Sequence, residues 1–241
     1  MSSRQIEQGC PADLAAALTW IAGLGAVTAE ALARDRGWSV PSARARLARA
    51  ERAGLLSAWR PLRAQPSLYT VTRAGLRAAG VSGIEPGRVS AAGARHAVVC
   101  SLVAAELGRT YDGRRVIGEA ELRREERSGA LLVSTAAGCP GGATHRPDLA
   151  LVATGARPGV IAVEVELTVK SPRRLRAICL AWARARQLDG VVYLAAQRVR
   201  PALERAIEES RSGARIAVLA LETLEGDGGG GALERAVAAG A

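Results

Sequence analysis

"HRPDLALVATGARPGVIAVEVELTVKSPRRL", residues 145–175, is the stretch on which the fold turns. Two apolar runs, "RPDLALVA" and "GVIAVEVELTV", predict neighbouring strands. The spacing then turns helical through "SPRRLRAICLAWARARQLDG", with Ser171 expected as N-cap and Pro172 in the first turn. Glu164 and Glu166 stand two apart, so a strand puts both on one face, while Val163, Val165 and Leu167 take the other. On a half-buried strand those acids need compensation, and Asp148 at the head of the preceding strand adds to the repulsion. A divalent cation is the simplest remedy, and oxygen donors of this kind suit Mg²⁺ or Mn²⁺. The same stretch holds Lys170, the only lysine among 33 lysine and arginine residues.

Downstream, "GVVYLAA" reads as a strand, "RPALERAIEESRSG" as a helix and "ARIAVLALETL" as a last strand, ahead of a flexible Gly-rich tail at 225–241. Upstream, "ARHAVVCSLVAAELGRTY" is a long amphipathic helix with Val98, Leu102, Ala105 and Leu107 inward. A short strand at Val116–Ile117 leads into a charged turn or helix, and small polar residues from Ser128 to Thr144 predict a mobile loop. Of the two histidines, His145, three residues before Asp148, is within reach of a phosphate or metal there, with a surface loop residue the favoured reading, and His96 reads as a packing residue on its helix.

Residues 11–80 form a separate pattern. Leu14, Leu18 and Ile21 mark a first helix, Thr28 caps a second, and a third begins near Ser42 with Leu47 and Ala50 inward. That third helix displays Arg44, Arg46, Arg49 and Arg52. Two short strands around a proline-containing turn follow, and then a helix that Thr72 is placed to cap. Three helices and a basic hairpin are the order of a winged helix-turn-helix, whose third helix enters the major groove while hairpin arginines, here Arg60 and Arg63, meet phosphates. Residues 81–92 are rich in Gly, Ser and Pro and are read as a linker, leaving 93–224 for the second domain.

The net charge of +10 favours a polyanionic partner. The arginines cluster, on the third helix and again at Arg173, Arg174, Arg176, Arg184 and Arg186, which favours DNA over mere solubility. The four cysteines form no CxxC pair, so neither a zinc site nor a disulfide framework is expected. No secretion signal and no long uncharged apolar run is present, so the expectation is a cytoplasmic protein with no membrane association.

Taken together, the predicted fold is α+β. It joins an N-terminal winged helix-turn-helix to an α/β domain with a central mixed sheet. The α-β-β-β-α-β order, with Pro-Asp on one strand and Glu-x-Glu on the next, resembles the PD-(D/E)xK nuclease superfamily, the restriction-endonuclease-like fold. The longer string, from "RHAVVCSLVAAEL" through "GEAELRRE", "HRPDLAL" and "IAVEVELTVKSPRRL", resembles the replication-relaxation family of actinobacterial plasmids and integrative elements.

This resemblance implies that Asp148 and Glu164 hold the metal and that Glu119, with Glu121 as the alternative, contributes an acid from the preceding helix. Glu166 occupies the superfamily's lysine position, and Lys170, four residues on, is the substitute cation. Arg173 and Arg174 would seat phosphate at the N-terminus of their helix. Three functions follow: a metal-dependent endodeoxyribonuclease guided by the winged helix; an accessory DNA clamp with lost chemistry; or a regulator whose second domain dimerises. The implied partners are DNA, a second copy of the chain, and a relaxase or replication protein.

Overall fold

The computed structural model describes residues 11–60, 65–111, 113–136, 144–154 and 159–222. It is an α+β chain in two compact units, Met1–Ala105 and Glu106–Ala241.

The first unit opens with α1 (Ala12–Leu24), α2 (Ala29–Arg36) and α3 (Val40–Arg52). Side-chain caps set the helix starts. Thr28 Oγ1 accepts the Ala31 N–H at 3.0 Å and Ser39 Oγ accepts the Ser42 N–H at 3.3 Å, so Ser39 is the N-cap of α3 and Ser42 lies in its first turn. Strands β1 (Leu56–Trp59) and β2 (Leu68–Val71) form an antiparallel hairpin, extended by a bridge between Val27 and Tyr69. Thr72 then caps α4 (Arg73–Ala78) through the Gly75 N–H. Leu18, Ile21, Leu32, Leu47, Leu56 and Leu76 make the core.

The stretch after α4 is packed and not merely a spacer. Ile84 is buried, and Gly87 lies so close to the Gly25 carbonyl that a Cβ would collide with it. Ala26, Leu68 and Ala94 cluster with Val89, Ala97 and Val98, the last three elements of this contact coming from the approach to and start of α5 (Ala94–Thr110). The division between the units falls within α5.

The second unit contains β3 (Arg114–Gly118), α6 (Glu119–Ser128), the two-residue strands β4 (Thr135–Ala136) and β5 (Thr144–His145), β6 (Leu149–Ala153), β7 (Val160–Glu166), α7 (Pro172–Arg184), β8 (Gly190–Ala195), α8 (Arg200–Ser210) and β9 (Ile216–Ala220). Five strands form one mixed sheet in the order β3-β6-β7-β8-β9. The β3/β6 and β6/β7 pairs are antiparallel, and β7/β8 and β8/β9 are parallel, as their helical crossovers require. Leu175, Ile178, Cys179 and Trp182 of α7 and Leu203 and Ile207 of α8 pack with Ala150, Ala162 and Val191, so both helices cover the same face.

Every residue of β7 is buried, not alternate ones. The half-buried strand expected from the alternating acids is therefore corrected: both faces of β7 are covered, and Glu164 and Glu166 lie on the side that carries α7. The expected mobile loop at 128–144 is corrected over its first half. Val133 is fully buried in the core, and the Glu126 carboxylate accepts the Val133 and Ser134 N–H groups. Residues 137–143, and the tail expected to be flexible at 225–241, lie outside the described residues. Among the described residues no helix is long and apolar enough to cross a membrane.

Candidate functional site

Register builds the site. Leu149 pairs with Val163, so Asp148, one residue before β6, falls opposite Glu164 on the same face. Glu164 in turn pairs with Tyr193 of β8, and Glu166 with Ala195. These acids stand at the carboxyl end of β7, the end from which Lys170 and α7 continue. In open α/β sheets this is the edge at which ligands are bound.

Each carboxylate has a partner. Asp148 Oδ2 accepts the Val165 N–H at 2.8 Å, which fixes the acid against the neighbouring strand. His145 Nε2 lies 2.7 Å from Glu164 Oε1. Lys170 Nζ forms an ion pair with Glu166 Oε2, the i,i+4 spacing bringing the chain back over the strand end. Burial pushes the Glu164 carboxyl well into the protonated direction and the Asp148 charge adds to that, whereas His145 and Lys170 pull the other way. Burial likewise lowers Lys170, with Arg174 adding to the effect and Glu164 and Asp148 opposing it. Burial and the nearby Glu164 charge push the Cys179 thiol up to about 11 and Tyr193 up as well, so both are neutral hydrogen-bonding or packing groups.

His145 reaches Glu164 because the β4/β5 hairpin is fastened on two sides. Thr135 pairs with His145, and Thr135 Oγ1 donates to the Ala181 carbonyl of α7 at 3.0 Å. The His145 ring meets Trp182 edge-on, with centroids 5.3 Å apart. On the other side, Arg146 Nη2 pairs with Glu126 of α6 at 2.7 Å. Glu126 thus holds both arms of the hairpin, through Ser134 and through Arg146. Reading His145 as a surface residue is corrected: its side chain is docked against α7 and the sheet. No periodicity in the sequence announces this, because a two-residue strand is too short to carry one.

Glu119 begins α6 one residue after the Gly118–Leu149 pair, so it is level with Asp148 along the sheet. Its carboxylate, however, is half exposed and pairs with Arg123 at 2.5 Å. Glu121 pairs with Arg115 at 3.2 Å and Arg124 at 3.0 Å. Neither acid is joined to the Asp148–Glu164 pair by a hydrogen bond or ion pair.

Among the arginines expected to meet DNA, Arg44, Arg46, Arg49 and Arg52 are all exposed on α3, and the Arg46 guanidinium also lies over the Trp38 ring at 4.2 Å. Arg60 reaches Ser67 Oγ at 3.3 Å, and Arg63 lies outside the described residues. Arg173 and Arg174 are exposed in the first turn of α7. Arg173 and Arg176 also line an open groove of about 350 Å³ with Pro172, Ala177, Leu180 and Glu209.

The chain matches no protein-family model, no curated protein and no solved structure.

Proposed function

We propose that this chain is a DNA-binding protein of plasmid or mobile-element replication or mobilisation, with a winged helix-turn-helix in the first unit and a PD-(D/E)xK nuclease-like domain in the second. The observation that carries this reading is the placement of Asp148 opposite Glu164 on one face, at the carboxyl end of β7, beside Lys170 and the N-terminus of α7. The order of α1–α3 and the β1/β2 hairpin, with Arg44, Arg49 and Arg52 exposed, supports the DNA-reading half. The net charge of +10 agrees with it.

Asp148 and Glu164 fit a hard divalent cation, Mg²⁺ or Mn²⁺. They are two carboxylates on adjacent strands, and burial together with the neighbouring acid penalises the Glu164 charge, a penalty that a dication removes. Such an ion polarises a phosphodiester and lowers the pKa of a bound water. The chain's own residues do the rest. Arg173 and Arg174 bind flanking phosphates at the α7 N-terminus. Asp148 keeps its orientation through the Val165 N–H. Lys170, held beside the strand end by its ion pair with Glu166, has further N–H donors with which to meet a phosphate oxygen.

The second reading is an accessory factor or winged-helix transcriptional regulator whose nuclease-like domain is catalytically inactive and clamps DNA or dimerises. It is favoured by the pairing itself: His145 is hydrogen-bonded to Glu164 and Lys170 is ion-paired with Glu166, so the groups that would meet a substrate in this corner are engaged by the protein's own acids. Titration calorimetry of Mn²⁺ into the wild type and Asp148→Ala separates the two. Binding that disappears in the variant, followed by Mn²⁺-dependent nicking of supercoiled plasmid, supports the nuclease reading. Tight duplex binding indifferent to metal supports the accessory reading.

A further inference from the structure

The turn between α2 and α3 plants an aromatic side chain firmly. Gly37 closes α2 in the left-handed conformation, φ 64°, and the Trp38 N–H returns to the Ala33 carbonyl at 2.9 Å. One residue on, Ser39 caps α3. Trp38 is thus pinned from both sides, and it is half-buried rather than packed away. The Arg46 guanidinium carbon lies over its ring, 4.2 Å from the centroid, while Arg46 itself stays exposed. Ala43, Leu47 and Ala50 turn toward the core, and Arg46, Arg49 and Arg52, spaced three apart, form a row away from it.

We infer that Arg46 selects a guanine in the major groove, and that Trp38 is the positioning residue that makes this arginine a reader of bases where its neighbours on α3 bind phosphate. The inference rests on the DNA-binding reading above and adds to it the base recognised and the residue that recognises it.

The first argument concerns donors. Attraction to a ring face uses the charge of a cation and none of its hydrogen bonds. Among the described residues Arg46 donates to no oxygen, so the N–H groups of its fork remain for a ligand. Arg34, Arg36 and Arg60 of the same unit instead each donate to an oxygen of the protein. The second argument is orientation. A phosphate accepts a cation from many directions, whereas guanine presents its O6 and N7 acceptors in one plane, which a guanidinium fork matches in one pose. A side chain already laid on a fixed ring meets that demand with less freedom left to lose. The third is the choice of base. In the major groove adenine and cytosine turn an amino donor toward the fork and thymine offers one acceptor beside a methyl, so guanine alone suits two donors side by side.

The test uses the full chain and a randomised duplex library, from which the wild type and each variant select a preferred site. The wild type is expected to select a site with a guanine it does not exchange. Replacing that guanine by 7-deazaguanine, which keeps the base pair and lacks the N7 acceptor, should weaken wild-type binding about fivefold or more in fluorescence anisotropy. Arg46→Ala should bind the two duplexes alike, with affinity for unrelated duplex little changed. Trp38→Leu, in which Arg46 is still present, should lose most of the discrimination. Arg46→Gln repeats the comparison should Arg46→Ala unfold. Duplex binding by the wild type with no guanine preference, or a preference that survives in Arg46→Ala and Arg46→Gln, overturns the inference and leaves DNA binding standing. A preference kept in full by folded Trp38→Leu overturns the part given to the ring. No duplex binding by the wild type overturns the inference together with the DNA-binding reading beneath it.

Discussion

Glu164 is an acid whose ionised form the fold holds at a cost. Burial raises its pKa above that of an unfolded glutamate, Asp148 raises it further, and His145 and Lys170 offset only part of the effect. A raised folded value contributes stability that is complete below the unfolded pKa near 4.3 and is lost as pH rises through the folded value. Glu164→Gln removes that loss while keeping an acceptor for His145. The melting temperature of the variant relative to wild type should therefore climb from pH 5 to pH 8, at about 2–4 °C for each kcal/mol recovered. A flat or falling difference would show that the carboxylate is adequately compensated. Asp148 behaves otherwise, because its oxygen accepts a backbone N–H. Asp148→Ala removes the acceptor that the Val165 N–H uses and should lower stability in metal-free buffer, measured by urea unfolding, whereas Asp148→Asn, which keeps an oxygen at that place, should lower it less.

At the scale of elements, one carboxylate ties both arms of the β4/β5 hairpin to α6. Glu126 takes the Val133 and Ser134 N–H groups, the Ser134 hydroxyl and the Arg146 guanidinium. Burial pushes Glu126 up, but the Ser134 and Arg146 hydrogen bonds prevail and hold it below the ordinary carboxylate value. Its stabilisation is therefore present above about pH 4.3 and is lost as pH falls through the depressed folded value. Glu126→Ala should cost about 2–3 kcal/mol at pH 7, and scanning calorimetry should find that deficit shrinking in strong acid. The long elements around this hairpin were legible: the apolar runs of β6 and β7 and the helical run of α7 declare themselves through apolar spacing. The hairpin was not, because β4 and β5 are two residues each and His145 acquires its surroundings only when they dock on α7. The acids were legible as a pair, but their partners were legible only in part: the i,i+4 spacing of Glu166 and Lys170 suggested one contact, while nothing local tied His145 to Glu164.

For the molecule as a whole, net charge is the dominant fact, and its distribution decides how it acts. Arg44, Arg46, Arg49 and Arg52 are exposed on α3, and Arg46 is the one also stacked on Trp38. On the proposed reading, Arg44→Ala/Arg49→Ala/Arg52→Ala should flatten the dependence of log affinity for duplex DNA on log salt by about 3, roughly one per lost phosphate contact, whereas Arg46→Ala should change the slope by well under one. Fluorescence anisotropy across a salt series measures both. The two-unit α+β plan was readable from where helical spacing gives way to strands. The packing of the Gly/Ser/Pro stretch was not, since composition reports how easily a backbone bends and not what it rests against. Ile84 is buried there, and Gly87 is set against the Gly25 carbonyl.

The ion pair between Lys170 and Glu166 also gives an experimentalist a handle. A lysine-specific protease has a single bond to cut in this chain, Lys170–Ser171, and that bond lies where β7 hands over to α7. Acylating reagents find the same lone side-chain amine, whose burial-lowered pKa makes more of it neutral and nucleophilic at mild pH while Glu166 shields it. The rate of cleavage or acylation therefore counts how often that corner opens. Whatever enters it, ion or nucleic acid, can be followed by mass spectrometry without a fluorophore or an added tag.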